Sequence, residues 1–228
     1  MALPTLLVLL LCSFLADTLA HGTVRASETH QIVTCGSVIK LFHPQTRHRL
    51  HSHSVNYGSG SQQQSVTAVD ASADPNSYWL VTGGYNQPPC PPGTPMKKGD
   101  VFRLRHLGTN RNLHSHHHPS PLSGKQEVSC YLEGDQGDSG DNWTLDIAEE
   151  QWMRDTPVKI RHADSGLYLA THNVKFGHPI AGQLEVMATT SRGSPSNWVT
   201  AEGVYLPILG SDGSSEVILE EDDATPPA

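Results

Sequence analysis

Histidine carries most of the chemical potential in this chain. Fourteen are present, and half fall in two clusters: His48, His51 and His53, then His114, His116, His117 and His118. Imidazoles at alternating positions of a strand share one face, where they can ligate a transition metal or titrate together near pH 6.5. The pattern argues for a plainer role. His43, His106 and His162 occupy equivalent places in a recurring segment, and so do His53, His116 and His172. Recurrence of that kind is best explained by hydrogen bonds to turn backbone made three times over. No Cys or carboxylate completes a ligand set of recognisable spacing, so no metal residue is assigned. A pH-sensing histidine cluster is the softer alternative.

Catalytic signatures are missing as well. The chain has no Gly-x-Ser-x-Gly elbow, no P-loop, and no Cys/His pair in a known context. Glu133, Asp135, Asp138 and Asp141 alternate with Gly134, Gly137 and Gly140, the composition of a solvated loop. The reading is a non-enzymatic protein without cofactor.

The elements that position these histidines come in three copies. Lys40-Leu41-Phe42-His43 leads to Leu50-His51-Ser52-His53; Arg103-Leu104-Arg105-His106 leads to Leu113-His114-Ser115-His116; Lys159-Ile160-Arg161-His162 leads to Leu169-Ala170-Thr171-His172. In each, a His precedes the Leu by seven positions and another follows it by three. A Trp comes 26 or 27 residues later: Trp79, Trp143 and Trp198. Such constancy marks an internal triplication. Within a copy the apolar pattern has period two, with turns at Gln45–Arg47, Gly108–Asn110 and Asp164–Gly166, of which Asn110 and Gly166 tolerate positive φ.

Four strands per copy give twelve. Three copies and no more suggest closure about a threefold axis, which also removes the exposed strand edges that an all-β protein must guard. The expected fold is therefore an all-β trefoil with pseudo-threefold symmetry. Leu41, Leu104 and Ile160, Leu50, Leu113 and Leu169, and the three Trp are its expected core, in threefold layers. Repeats are expected at 33–88, 94–151 and 153–207, the first two joined by a Pro-rich surface connector, Asn86–Pro95. Residues 21–34 read as a loose leader.

The chain is acidic, with a formal charge of −8, and its basic residues are scattered, which disfavours nucleic acid and anionic lipid. Residues 1–20 hold an apolar run too short to cross a bilayer, followed by small residues before a cleavage point: a signal peptide, with an uncleaved anchor as the alternative. No other apolar run is long enough to span. Cys12 leaves with the signal, so Cys35, Cys90 and Cys130 remain in an oxidising compartment. Cys35 and Cys90 flank the first repeat and are expected to pair; Cys130, in an alternating run, is expected in the core. Asn142-Trp143-Thr144 is the only glycosylation sequon, and it flanks a core Trp, so Asn142 is a poor acceptor. Residues 208–228 read as an acidic, disordered tail.

These segments resemble the MIR repeat, named for protein O-mannosyltransferases, inositol trisphosphate receptors and ryanodine receptors. The resemblance rests on Leu-His-Ser-His at 50–53 and 113–116, Tyr57-Gly58-Ser59-Gly60, Gln64–Thr67 and Asn76–Trp79. Over roughly 33–207 the chain resembles the stromal cell-derived factor 2 family, with Ser120–Gly124, Gln126–Ser129 and Ala201–Pro207 as further matches. The resemblance implies an endoplasmic reticulum protein of quality control, working with a J-domain co-chaperone and the lumenal Hsp70. Glycans are the other ligand class it implies, and Tyr57, Tyr85 and Tyr131 are the candidate stacking aromatics. The sequence ends without a KDEL-type signal, so retention falls to a partner, or the protein is secreted. Binding sites are sought where the copies differ: Pro88–Pro95, His117–Pro121 and Val174–Gly182.

Overall fold

A computed structural model describes residues 32–132 and 136–208. The period-two pattern becomes twelve strands in one sheet. They are β1 (Val38–His43), β2 (His48–Asn56), β3 (Gln64–Val69), β4 (Trp79–Gly83), β5 (Val101–His106), β6 (Asn112–Pro119), β7 (Gln126–Tyr131), β8 (Trp143–Asp146), β9 (Pro157–His162), β10 (Tyr168–Lys175), β11 (Leu184–Thr189) and β12 (Trp198–Val204). A single 3-10 turn precedes each Trp strand, at Pro75–Ser77, Ser139–Asp141 and Ser194–Ser196.

The antiparallel pairings form two layers. Strands β1, β4, β5, β8, β9 and β12 pair in that order, and β12 returns to β1, closing a six-strand ring. The hairpins β2–β3, β6–β7 and β10–β11 make the second layer. Their inner strands β3, β7 and β11 pair with one another in a triangle. Both layers repeat three times, as the internal triplication predicts.

Burial follows the pleat. In β5, Phe102, Leu104 and His106 are buried while Val101, Arg103 and Arg105 are half-buried. Leu41, Leu104, Ile160, Leu50, Leu113, Leu169, Trp79, Trp143 and Trp198 are all fully buried. Each indole Nε1 donates to a core carbonyl of its own repeat: Trp79 to Leu50 at 3.0 Å, Trp143 to Leu113 at 2.9 Å, Trp198 to Leu169 at 2.9 Å. A polar edge is thereby satisfied inside an apolar layer. Lys40 breaks the alternation; it is buried, with Nζ donating to the Ser72 carbonyl at 2.6 Å and lying 4.3 Å from the Tyr78 ring centre.

The expectation of a loose leader fails at its end. Ile32 and Thr34 form β-bridges to Met153 and Pro95, and Val33 and Thr34 are fully buried. Val33 and Met96 both bond to Trp152, a fourth buried Trp outside the repeat pattern that packs on Phe102. The apolar side chain of Val33, buried in the main core cluster, outweighs the polarity of its neighbours. Cys35 and Cys90 are disulfide-bonded, Cα atoms 6.0 Å apart, and Cys130 is a free, buried thiol that burial pushes up to about 12. The expected signal peptide at 1–20, residues 209–228 of the expected acidic tail, and Glu133, Gly134 and Asp135 lie outside the described residues.

The turns after β1, β5 and β9 are equivalent. Asn110 and Gly166 have positive φ of 57° and 72°, and Arg47, exposed, takes 60° at the matching place. An L side chain there costs about 1–2 kcal/mol, less for Asn. Arg47→Asn is expected to gain up to about 1 kcal/mol in a urea titration, by relief of that cost. Trp143→Ala is expected to lose about 3–5 kcal/mol in the same measurement, through cavity formation and an orphaned Leu113 carbonyl.

Candidate functional site

The histidines fall into three geometric classes. His43, His106 and His162 are latches between repeats. Each Nδ1 meets the hydroxyl three residues on: Thr46 at 2.9 Å, Thr109 at 2.8 Å, Ser165 at 2.9 Å. Each Nε2 meets a carbonyl of the neighbouring repeat's 3-10 turn: Ser194 at 3.0 Å, Asn76 at 2.9 Å, Gly140 at 3.1 Å. A carbonyl only accepts, so Nε2 carries the hydrogen, and Nδ1 is the acceptor in a neutral ring. Each imidazole also packs 5.0–5.1 Å from that neighbour's Trp ring. Burial holds all three below the usual histidine value, against the opposing pull of the carbonyls.

The second class departs from the expected turn-backbone bonds. His53, His116 and His172 bond through Nε2 to side chains at one position of the inner hairpin strands: Ser65 at 3.1 Å, Glu127 at 3.0 Å, Glu185 at 2.7 Å. Both glutamates are fully buried and anchor loops of the adjacent repeat. Glu127 accepts from the Ser61 amide and hydroxyl. Glu185 accepts from Ser120 Oγ at 2.5 Å and from the Leu122 and Ser123 amides at 2.9 and 3.0 Å. Burial alone would raise the Glu185 pKa; the bonds from Ser120, the two amides and His172 bring it below the usual value.

The third class pairs with aspartate. His51 Nδ1 meets Asp74 at 2.7 Å, and His114 Nδ1 meets Asp141 at 3.0 Å with Asp138 at 3.5 Å. Two of the acids read as solvated loop are therefore structural, Asp141 being fully buried and Asp138 closing a capping box with it. Distance along the chain hides them: the pairs are 23 and 27 residues apart. The ligand atoms of His114, Asp138 and Asp141 lie within 4.8 Å of one another. The same carboxylates also carry structural hydrogen bonds. Asp141 also accepts from Asn112 Nδ2 at 2.8 Å and the Asp138 amide at 3.2 Å, and Asp138 accepts from the Gly140 amide at 2.8 Å.

The surface candidate lies at the junction of the first two repeats. A polar cleft of about 320 Å³ is lined by Tyr85, Asn86, Gln87, Arg103, Arg105 and Gln136. Its builder is Asn142. The side chain of this sequon residue is buried and clamps the main chain of Tyr85, Oδ1 accepting from its amide at 2.7 Å and Nδ2 donating to its carbonyl at 3.2 Å. Arg103 Nε donates to the Gly83 carbonyl at 2.8 Å, and its Nη1 donates to Gln136 O. Tyr85 is half-buried on the cleft wall. The other two tyrosines are not platforms. Tyr57 is 4% exposed, its hydroxyl donating to the Val66 and Val128 carbonyls beneath Phe176 and Ile180, and Tyr131 packs on His114. Arg103 and Arg105 escape a search for shared motifs. The signal they leave is slight: both outward positions of β5 are Arg, where the first copy has Lys40/Phe42 and the third, also doubly basic, has Lys159/Arg161.

Residues 31–198 match the MIR domain family, which defines the class of protein. The human stromal cell-derived factor 2-like protein 1 is 43% identical over 205 residues, covering 90% of each chain. The crystal structure of the SDF2-like protein from Arabidopsis thaliana superposes with a TM-score of 0.74 at 42% identity, over 78% of this chain and 98% of that one. The S. cerevisiae protein O-mannosyltransferase Pmt1-Pmt2 complex bound to the sugar donor contains a similar region, at 32% identity and TM-score 0.69, covering 86% of this chain and 28% of that one. This chain belongs to the stromal cell-derived factor 2 family.

The latches set a pH dependence. Their folded-state pKa values lie below the unfolded value of 6.5, so the unfolded chain binds more protons between the two. The stability they confer is complete above about 6.5 and falls as pH drops through the depressed values. The urea midpoint is expected to be lower at pH 5.5 than at 7.5, and His106→Gln to be less stable but flatter between them. Asp74 and Glu185, with depressed carboxylate values, add their loss only at lower pH.

Proposed function

We propose that this protein is a non-enzymatic adaptor of protein folding and quality control in the endoplasmic reticulum lumen. It acts with a J-domain co-chaperone and the lumenal Hsp70 on misfolded clients. One observation carries the reading: the human relative matches over 90% of both chains, so the three repeats themselves must supply what the family does. The pairing of a six-strand ring with a hairpin triangle supports a β-trefoil of three MIR repeats, at 33–88, 94–151 and 153–207. No helix among the described residues is long and apolar enough to cross a membrane, which fits a lumenal protein entering by a signal peptide at 1–20.

The surface chemistry favours an adaptor over a direct holder of unfolded chain. Among the described residues the exposed large apolar side chains are Leu107, Leu122, Val174 and Val204, one from each of four separate segments. A holdase needs a broad apolar face, whereas docking to a folded co-chaperone can be polar. Apolar client segments are then the work of the Hsp70.

A second reading, a carbohydrate-binding module for O-mannosyl or related glycans, is favoured by the cleft at Tyr85. It unites a half-exposed aromatic ring with convergent amides and guanidiniums. One experiment separates the readings: capture with the tagged full chain from endoplasmic reticulum lumen, with and without mannosides. Recovery of a J-domain protein and Hsp70 in both cases is the expected outcome. Release of clients by sugar would transfer the weight to glycan recognition, and failure to recover either chaperone would refute the adaptor.

A further inference from the structure

The three junctions between repeats differ in how they spend their positive charge. Between the third and first repeats, Arg49 stacks on Phe42 and pairs with Glu202, while Lys40 is consumed by the Ser72 carbonyl. Between the second and third, Arg192 pairs with Asp146, which also stands opposite Lys159 in the β8–β9 register, and Arg161 Nε donates to the Gly166 carbonyl. Between the first and second, Arg103 and Arg105 stand on one face of β5, two residues apart, with no ion pair among the described residues.

Lys159 and Arg161 also lack an ion pair among the described residues, so it is the surroundings of Arg103 and Arg105 that make the contrast. Arg103 is held by the Gly83 and Gln136 carbonyls, so it is fixed by neutral acceptors rather than by an ion pair. Arg105 uses only Nε, donating to Asn112 Oδ1 at 3.3 Å; its terminal nitrogens have no acceptor among the described residues. The carboxylate acting on Arg103 is Asp141, which is fully buried and already engaged by Asn112 and His114. Burial and the Arg105 charge both press the Arg103 guanidinium below its usual value. Two like charges held together facing a cleft form a site complementary to an anion, and a guanidinium fork binds carboxylate or phosphate oxygens in pairs.

The rest of the cleft is suited to a sugar. Tyr85 offers a ring, and Asn86, Gln87 and Gln136 offer amide donors and acceptors for hydroxyls. At about 320 Å³ the cleft is at the small end of ligand pockets, room for one ring rather than an extended chain. Six residues after each repeat Trp stand Tyr85, Glu149 and Val204, so the combination occurs once.

We infer that the cleft between the first two repeats is a binding site for a hexose bearing an anionic group, with Arg105 on the anion and Tyr85 against the ring. The inference rests on the carbohydrate reading above and narrows it to one junction and one charge class.

Titration of the full chain by calorimetry tests it, with mannose, mannose 6-phosphate, glucuronic acid, inorganic phosphate and a glutamate-rich peptide as probes. At least one charged sugar is expected to bind tenfold or more tightly than mannose. That advantage is expected to fall below threefold in Arg105→Gln and to be partly kept in Arg105→Lys, which retains charge without the fork. Tyr85→Ala is expected to weaken charged and neutral sugars alike. Mannose binding as tightly as the charged sugars would overturn the inference and leave the carbohydrate reading standing. Binding of no sugar would end both, and phosphate or peptide matching the charged sugars would overturn the sugar assignment. An unchanged thermal midpoint identifies variants that remain folded, and Arg105→Lys serves if Arg105→Gln does not.

Discussion

One interaction holds the three repeats in a ring: a neutral imidazole trapped between its own turn and the next repeat's Trp. His43, His106 and His162 each complete two hydrogen bonds, one to a turn hydroxyl and one to a carbonyl of the next repeat, and burial disfavours a second proton on the ring. Each also lies against an indole whose own N–H is committed to a core carbonyl. Ring closure therefore depends on three small polar joints inside an apolar layer. Because every joint crosses from one repeat to another, a repeat cannot be completed alone. The close of the sheet onto itself and the burial of the polar groups are one constraint.

The second layer uses the same device with charge. Glu127 and Glu185 sit at matching places on the hairpin triangle, each receiving a histidine from its own hairpin and a loop from its neighbour. The first repeat has Ser65 there, bonded to His53 and donating to the Val55 carbonyl. Both carboxylates remain buried because several donors converge on each, the condition under which a buried charge is tolerated. The third repeat drops another pair together: Ala170 replaces the histidine at 51 and 114, and Gly193 replaces the N-cap aspartate. Loss of both partners leaves no orphaned group, whereas loss of one would.

How legible these features are in the sequence depends on their range. Spacing alone exposes the triplication, the strand count, the Trp and Leu core positions and the turn at Asn110, because each repeats or is local. The latch histidines are visible as recurrent, and their turn hydroxyls lie only three residues on. Their carbonyl partners are invisible, since any residue supplies one. The aspartate and glutamate partners escape for another reason: residues 11 to 27 positions away meet only after the hairpins stack. Tyr57 misleads because its Gly- and Ser-rich neighbours signal an exposed turn, while Phe176 and Ile180 arrive from the third repeat to cover it.

The same logic explains why the cleft lies where symmetry fails. A threefold frame dictates what recurs, and recurrent polar groups are consumed in building it. Freedom to bind resides in positions the frame does not need, such as the outward face of β5 and the segment after Trp79. Asn142 connects the two: it stands at the foot of β8, next to a core Trp, yet its amide grips Tyr85 at both main-chain atoms. Its counterparts, Tyr78 and Asn197, lie before the other two Trp, and the side chain of neither is hydrogen-bonded to a neighbouring repeat among the described residues. The sequon asparagine, read from the sequence as a poor acceptor, is thus a positioning residue, and a glycan attached to it would dismantle the cleft wall it holds.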